Sequence, residues 1–218
     1  MVFQVREGAL HVLAWRRGRD PLAGSWALPG GRLDPHERLG TSLSRHLARK
    51  VDLADVAYLA QLETRSDEDR DPRERTIATA YLVLVATDRH PRVPDDTAWH
   101  RVDELPAMAF DHASIVASAR ERLRATLTYT NVGYALAPDE FTIAELRAIY
   151  VACIGHAIAA TNLQRVLLRR HLIEATGTTA PPTRAGGRPP TRYRFTDRHL
   201  VVSNPFAAFR PPETGGTS

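Results

Sequence analysis

Three basic side chains stand at positions that one face of a helix would share. His46, Arg49 and Lys50 occupy positions i, i+3 and i+4 of one segment, where side chains line up on a helix. A divalent cation such as Mg²⁺ takes oxygen ligands, yet only Glu37 offers a carboxylate nearby, and Arg49 and Lys50 would repel the ion. The pattern therefore predicts no metal site on this face, and a cationic face in its place.

A segment rich in proline and glycine precedes this face. It covers residues 21–31 and ends in the Pro-Gly-Gly tripeptide 29–31. Glycine lets the backbone approach a bound ligand closely and adopts the positive φ that such a loop needs, although the tripeptide also suits an ordinary tight turn. Glu37 and Arg45 are suited both to ligand contacts and to an internal ion pair, so the sequence leaves their role open. Three further arginines either meet ligand phosphates or belong to a plain surface: Arg16, Arg17 and Arg32.

The composition limits the class of protein. The chain has 218 residues, enough for one large or two small domains. No apolar run comes near the roughly 20 residues that span a bilayer, and the chain begins with a strand-like run instead of a leader, so we expect a soluble, cytoplasmic protein with no membrane partner. Cys153 is the only cysteine, and the nine histidines form no cluster with the spacing of metal ligands. We therefore expect no disulfides and no structural zinc.

The positive charge is concentrated in the second part of the chain. Residues 1–137 contain 19 basic and 19 acidic residues, whereas residues 138–218 contain 10 arginines and 6 acids. Within residues 159–198 there are 8 arginines and 2 acids. A neutral front part followed by a basic module suggests binding to a polyanion, although a merely solvated basic surface would have the same composition.

Hydrophobic periodicity predicts the elements that position these residues. The segment with the basic face has apolar residues four positions apart, which predicts a helix with one buried side at Leu39, Leu43 and Leu47. A second helix is predicted over Asp111–Leu127. Strands are predicted at Val2–Val5, Leu10–Trp15, Val56–Glu63, Thr76–Val85 and Trp99–Val102, the first two joined as a hairpin by Glu7-Gly8. Strands interleaved with two helices predict an α+β domain over residues 1–137.

Residues 138–203 begin with a clear helix signal. Thr142 and Glu145 form a capping box, with Phe141 and Leu146 around it as a hydrophobic staple. A helix should therefore begin at Ile143 and end at Gly155. Its buried stripe should contain Leu146, Ile149, Tyr150, Cys153 and Ile154.

A second helix should follow the first after a short turn. Residues 161–164, Thr-Asn-Leu-Gln, look like a second capping box, and the helix they open would bury Leu163, Val166 and Leu167. Its outer side would show Asn162, Gln164, Arg165, Arg169 and Arg170. Two short helices with a polar second helix predict a helix-turn-helix. Strands at Ile173–Thr176 and Thr191–Phe195 would frame a wing at Gly177–Pro190, and the tail 204–218 is expected not to fold.

The order and spacing of these motifs resemble the Nudix-related transcriptional regulators of NAD metabolism. Residues 31–53 keep the skeleton of a Nudix box, Gly-x5-Glu-x7-Arg-Glu-U-x-Glu-Glu-x-Gly-U with U aliphatic. His46, Arg49 and Lys50 replace the three glutamates that hold metal, and Asp52 replaces a glycine. The resemblance covers nearly the whole chain and includes Trp26-Ala-Leu-Pro-Gly-Gly31, Arg70-Asp-Pro-Arg73, Glu104-Leu-Pro106, Phe110-Asp-His112, Asn162-Leu-x-Arg165 and Gly187-Arg-Pro189.

This resemblance implies a Nudix-like α/β/α sandwich followed by a C-terminal winged helix-turn-helix domain. The first domain would bind ADP-ribose or a related nucleotide as effector without any required cofactor, and the second would bind double-stranded operator DNA. The predicted effector-binding residues are Arg16, Arg17, Trp26, Pro29, Gly30, Gly31, Arg32, Glu37, Arg45, Arg49 and Lys50. The predicted DNA-binding residues are Asn162, Gln164, Arg165, Arg169, Arg170, Arg184, Arg188 and Arg192.

Two functions of different class follow. In the first, the protein is a DNA-binding repressor of NAD biosynthesis or salvage genes, without catalytic residues, that a nucleotide releases from DNA. In the second, it is an active Nudix hydrolase of ADP-ribose-like diphosphates, and the basic domain is auxiliary. The lost carboxylates favour the first, because a metal-dependent reaction needs them. A homodimer is expected, since a single winged helix reads only one half-site.

Overall fold

The computed structural model describes residues 1–51, 56–181 and 189–203, with the backbone alone at Lys50 and Val51. Several predictions fall outside the described residues: the side chain of Lys50, the end of the box at Asp52, the wing residues Arg184 and Arg188, and the tail 204–218. No helix in the described ranges is both long enough and apolar enough to cross a membrane.

Six described strands form a mixed sheet at the centre of the N-terminal part. Their order is β3-β2-β1-β5-β4, with β6 also paired to β2; β1 and β5 are parallel and the other pairs antiparallel. The strands are β1 (Val2–Arg6), β2 (Ala9–Arg16), β3 (Trp26–Ala27), β4 (Tyr58–Arg65), β5 (Ala78–Val85) and β6 (Thr97–Arg101). The hairpin of β1 and β2 is confirmed, and its turn residues Glu7 and Gly8 have φ values of 49° and 75°, as tight hairpin turns require.

Alternate residues of the central strands face opposite sides of the sheet. On one side Phe3, Leu82 and Leu84 join the buried cluster of helix α2 (His112–Tyr129), and on the other Val83 and Val85 pack with helix α1 (Leu39–Val51). The sheet thus lies between two helices, as the α/β/α sandwich requires.

Burial increases along α1. Leu39 is 44% exposed, Leu43 is partly buried and Leu47 is 2% exposed. The predicted buried stripe is therefore wrong at Leu39, because the helix meets the sheet only with its later turns.

The C-terminal part has the winged-helix order of elements. Helix α3 (Ile143–Ile154) and helix α4 (Ala160–Arg169) are followed by a hairpin, and three described strands form a sheet in the order β7-β9-β8. These strands are β7 (Phe141–Thr142), β8 (Ile173–Thr179) and β9 (Thr191–Phe195). Leu146, Tyr150 and Phe195 belong to the same buried cluster as α2 and β1. The two parts of the chain therefore share a continuous core.

Local signals place α3 but misplace the start of α4. The capping box is confirmed: Glu145 N donates to Thr142 Oγ1 at 3.2 Å, and Thr142 N donates to Glu145 Oε2 at 2.7 Å. Gly155 ends α3 with a left-handed φ of 84°. Helix α4 begins with Ala159 as N-cap and without a capping side chain. The second capping box is wrong because Gln164 Nε2 donates to the Tyr193 hydroxyl at 2.8 Å instead.

The ends of several strands differ from the predicted ranges by up to three residues. Strand β4 begins at Tyr58, β5 at Ala78 and β6 at Thr97, and β8 continues to Thr179. Pairing with a neighbouring strand, and not the apolar run alone, decides where a strand begins and ends.

Candidate functional sites

A bidentate ion pair joins the loop before α1 to the helix itself. Arg45 Nε donates to Glu37 Oε1 at 2.8 Å, and Arg45 Nη2 donates to Glu37 Oε2 at 2.5 Å. The Glu37 side chain is only 12% exposed, and hydrogen bonding from Arg45 lowers the pKa of Glu37 to about 2. Of the two roles that the sequence left open, the structure shows the internal ion pair, which engages both carboxylate oxygens.

The side chain of His46 fills the space beside Gly31. The positive φ expected of Gly30 and Gly31 is wrong, since neither glycine has one. A Cβ on Gly31 would overlap the imidazole ring, so a larger residue there would have to displace His46. The His46 Nε2 atom lies 3.3 Å from the Arg32 carbonyl oxygen, and Arg45 Nη2 donates to the same oxygen at 3.4 Å. The Arg32 side chain forms an ion pair with Glu74, in the connection between β4 and β5. The segment that contains Gly31 and Arg32 is thereby joined to helix α1.

The residues on this helix face do not fit a metal ion. Arg49 is exposed and makes no hydrogen bond or ion pair with any described residue. In the described part of the chain no three His, Cys, Asp or Glu side chains are grouped as metal ligands. Mg²⁺ requires several oxygen ligands, whereas position 46 holds an imidazole and Glu37 is bound to Arg45. Among the described residues of this face, Glu37 alone has carboxylate oxygens, and both of them are bonded to Arg45.

The segment 26–31, which we call the glycine loop, is bonded to the start of α2. Trp26 N donates to the Ala107 carbonyl at 3.1 Å, and Ala109 N donates back to the Trp26 carbonyl at 2.7 Å. Leu28 N donates to Nδ1 of His112 at 3.0 Å. Burial lowers the pKa of His112 to about 4, so the ring is neutral at physiological pH and Nδ1 is free to accept this bond.

The other predicted effector residues border the same loop. Arg16 Nε donates to the Gly24 carbonyl at 3.2 Å and Arg17 Nε to the Pro21 carbonyl at 3.1 Å, so both arginines support residues 21–24. The Arg17 guanidinium also lies 4.7 Å from the ring centroid of Phe110, within cation–π range. Trp26 packs edge-on against His100 with ring centroids 4.2 Å apart, and Pro29 is buried.

Helix α4 exposes a polar row on the side opposite its buried leucines. Asn162, Arg165 and Arg169 are exposed, whereas Leu163 and Leu167 are buried. Arg165 Nη2 donates to Asn162 Oδ1 at 2.7 Å, which orders the N-terminal end of the row. Side chains at the N-terminal end of a second helix are those that reach base edges in helix-turn-helix proteins.

Three other predicted DNA-binding residues have partners inside the protein. Gln164 is bonded to Tyr193, as described above. Arg170 Nη1 donates to the Thr128 carbonyl of α2 at 2.9 Å, and Arg192 Nη1 donates to the Glu140 carbonyl at 3.4 Å. These contacts fix α4 and the wing strands to the rest of the protein.

Comparison with known proteins identifies both parts of the chain. The NUDIX domain family matches residues 1–119, and the NrtR DNA-binding winged helix domain matches residues 133–195. The ADPR responsive transcriptional repressor NtrR of Acinetobacter baylyi is 31% identical over 203 residues, covering 89% of this chain and 79% of that protein. The chain belongs to the NrtR family of Nudix-related transcriptional regulators.

Solved NrtR structures have the same two-part architecture. Shewanella oneidensis NrtR complexed with a 27mer DNA superposes with a TM-score of 0.76 at 27% identity, covering 89% of this chain and 90% of that chain. The NUDIX domain of the same Shewanella protein, complexed with ADP ribose, has a TM-score of 0.50 at 31% identity and covers 56% of this chain and 83% of that chain. The fold class predicted from the sequence is confirmed.

Sequence reasoning left several residues of this NrtR-type chain without a role. Arg70 and Asp111 form a partly buried ion pair, with Nη2 and Oδ1 at 2.9 Å and side chains 8% and 17% exposed. Phe110 and His112 contact Arg17 and Leu28 respectively. The signal was present, since Phe110-Asp-His112 and Arg70-Asp-Pro-Arg73 belong to the family resemblance, but their partners lie too far away in sequence to be named from it.

Proposed function

We propose that this chain is a repressor that binds double-stranded operator DNA through α4 and its wing, and that ADP-ribose or a closely related nucleotide releases it. The observation that carries the proposal is that His46 and Arg49 stand where a Nudix box has metal-binding glutamates. The same fold exposes the polar row of α4. The proposal includes a domain boundary between residues 137 and 138, a cytoplasmic homodimer and, as the resemblance implies, NAD biosynthesis or salvage genes as targets. Relatives named for their response to ADPR, or solved with DNA and ADP ribose, support the choice of ligands.

The direct test is equilibrium binding of the purified protein to a labelled duplex from upstream of its own gene. Fluorescence anisotropy is measured at fixed salt, first without effector and then with increasing ADP-ribose or NAD. We expect binding that ADP-ribose reverses, and light scattering of the protein–DNA complex should give two chains per duplex. A protein–DNA complex that ADP-ribose does not dissociate would contradict the effector assignment. If no complex forms, the assignment as a DNA-binding repressor is contradicted.

We place the diphosphate of the effector against Gly30 and Gly31, where Arg49 and Lys50 bind it without metal. Arg16, Arg17, Trp26, Pro29 and Arg32 complete the site, and the Glu37–Arg45 pair maintains the loop. A guanidinium meets a phosphate with charge-assisted, often bidentate hydrogen bonds, so it can replace the bridging ion of a hydrolase.

Calorimetry with ADP-ribose in EDTA and then in Mg²⁺ tests the metal-free site. We expect equal affinity in both buffers, and a loss of affinity in Arg49→Ala that the matched variant Arg38→Ala does not show. Arg38 is a fair control because it is also exposed and precedes the same helix. A strict requirement for Mg²⁺ would contradict the site.

The alternative function, hydrolysis, makes the opposite prediction. An active Nudix hydrolase would turn over ADP-ribose or NADH with Mg²⁺ or Mn²⁺ at about one per second or faster, the ordinary enzyme range. We expect no turnover above buffer, because His46, Arg49 and Lys50 stand where the box has its three metal-binding glutamates. Metal-dependent release of AMP at such a rate would contradict the assignment as a sensor and would identify the protein as an enzyme.

A further inference from the structure

Helix α2 touches the glycine loop with its first residue. His112 begins the helix and accepts the Leu28 amide hydrogen, and the residues just before it exchange two backbone hydrogen bonds with Trp26. Asp111, the N-cap residue, is held by the buried Arg70. A change in the loop therefore acts directly on the start of α2.

The last turns of α2 touch the helix-turn-helix. A Cβ at Gly155, the C-cap of α3, would lie 2.6 Å from Arg124 Nη2 and 3.8 Å from Arg120 Nη2, so Arg124 packs closely against the turn between α3 and α4 and Arg120 lies in ordinary contact with it. The C-terminal end of a helix carries partial negative charge, which attracts these cations. One turn later the Thr128 carbonyl accepts a hydrogen bond from Arg170 at the end of α4.

The helix between these two contacts is suited to transmit displacement. It has 18 residues and is therefore about 27 Å long. Ile115, Val116, Ala119, Leu123 and Leu127 are all buried in the core shared by both parts of the chain. Close-packed cores transmit strain and do not deform continuously. Arg120 is held by an ion pair with Asp103 at 2.6 Å and Arg124 by one with Glu121 at 2.7 Å, so both guanidinium groups are fixed in place beside the turn.

We propose that α2 couples the effector site to the DNA-binding helices, with His112 as the positioning residue at the glycine loop and Arg124 as the positioning residue at the turn before α4. This inference rests on the proposed function and adds the path by which effector binding reaches the DNA-binding helices. Effector binding displaces the loop, the start of α2 follows through His112, and Arg124 passes the shift to Gly155 and α4.

The test measures the coupling factor, the ratio of operator Kd with saturating ADP-ribose to operator Kd without it. Coupling between two sites commonly amounts to about 5- to 150-fold. We expect Arg124→Met to reduce the factor at least about fivefold while each separate Kd, for ADP-ribose alone and for operator alone, changes less than about threefold. Arg124→Lys, which retains the cation, should recover part of the factor. The same loss should appear in the reverse measurement, ADP-ribose affinity with and without operator, because coupling is reciprocal.

Arg122→Met is the matched control. It removes the same charge from the same helix, but Arg122 Nη2 points to the Leu62 carbonyl of β4 at 3.5 Å and not to the winged helix, so its coupling factor should equal that of the parent. His112→Phe, which retains the ring volume and removes the acceptor, should also lower the factor without changing the operator Kd of the effector-free protein. A melting curve of each variant tests whether that variant is folded.

Each outcome separates the two claims. If ADP-ribose weakens operator binding equally in the parent and in the Arg124→Met variant, the coupling route is overturned and the proposed function stays intact. An Arg124→Met protein that no longer binds operator even without ADP-ribose also overturns it, since Arg124 would then only maintain the fold. A parent whose operator affinity ignores ADP-ribose overturns the proposed function together with this inference.

Discussion

Replacing Arg165 with alanine should weaken binding to the operator more than replacing Arg169, which is exposed on the same helix. Arg165 and Asn162 are three residues apart on the exposed side of α4, and their side chains are hydrogen bonded at 2.7 Å. A helix rises about 1.5 Å per residue, so Arg169 stands about 6 Å farther along the axis. If the N-terminal end of α4 enters the major groove, Arg165 reaches a base edge and Arg169 meets the backbone.

The size of the effect follows from these two positions. One good side-chain contact to a base edge contributes about 1–3 kcal/mol, so Arg165→Ala should raise the operator Kd about 5- to 150-fold and should relax the preference at one base pair. The bond to Asn162 does not reduce this figure much, because a guanidinium has five donors. Arg169→Ala should weaken all sequences alike and lower the slope of log K against log salt by about 0.9, the contribution of one phosphate contact.

Both variants are measured by anisotropy on the operator and on duplexes with each base pair changed, over a series of salt concentrations. Arg101→Ala is the control, since Arg101 is half exposed, carries the same charge and lies on β6 in the NUDIX domain. If Arg165→Ala binds every duplex as tightly as the control does, α4 is not the recognition helix. A loss that is equal on operator and non-operator DNA would assign Arg165 to the backbone instead.

Three further predictions concern stability and reactivity. Thr142→Ala should lower the free energy of unfolding by about 1 kcal/mol in urea titrations, whereas Thr161→Ala, inside the first turn of α4 and without a capping bond, should change it little; equal losses would contradict the capping assignment. The pKa of Glu37 is lowered from 4.5 to about 2, so its ion pair stabilises the fold fully above pH 4.5 and loses this effect as the pH falls towards 2. The stability gap between parent and Glu37→Gln should shrink over that window, and a constant gap would refute the pairing. Burial raises the pKa of the Cys153 thiol to about 12, so a thiol reagent should label Cys153 only at the rate of unfolding; rapid labelling of the native protein would show that the site opens.

Local patterns were enough to predict most elements and the general character of both sites. The apolar runs of β1, β2 and β5, the capping box at Thr142 and the stop at Gly155 depend on neighbouring residues. The loss of carboxylates at 46 and 49 is likewise visible in the chain itself. Such interactions depend on the types and spacing of neighbouring residues, so they can be predicted from the sequence without coordinates.

Choices between partners at long range required the tertiary structure. The sequence could not decide whether Glu37 serves a ligand or Arg45, nor that the His46 ring would occupy the space beside Gly31. It assigned Gln164 to a capping box, because the competing hydroxyl of Tyr193 lies 29 residues away.

The connection between the two sites is the feature that only the fold decides. His112 and Leu28 are 84 residues apart and Arg170 and Thr128 are 42 apart, and nothing in local spacing predicts either pair. The sequence alone determined which elements form and what charges they carry. Only packing around the shared core decided that one helix, α2, would contact the glycine loop at its first residue and the DNA-binding helices at its last turns, since such contacts depend on how whole elements stack and not on neighbouring residues.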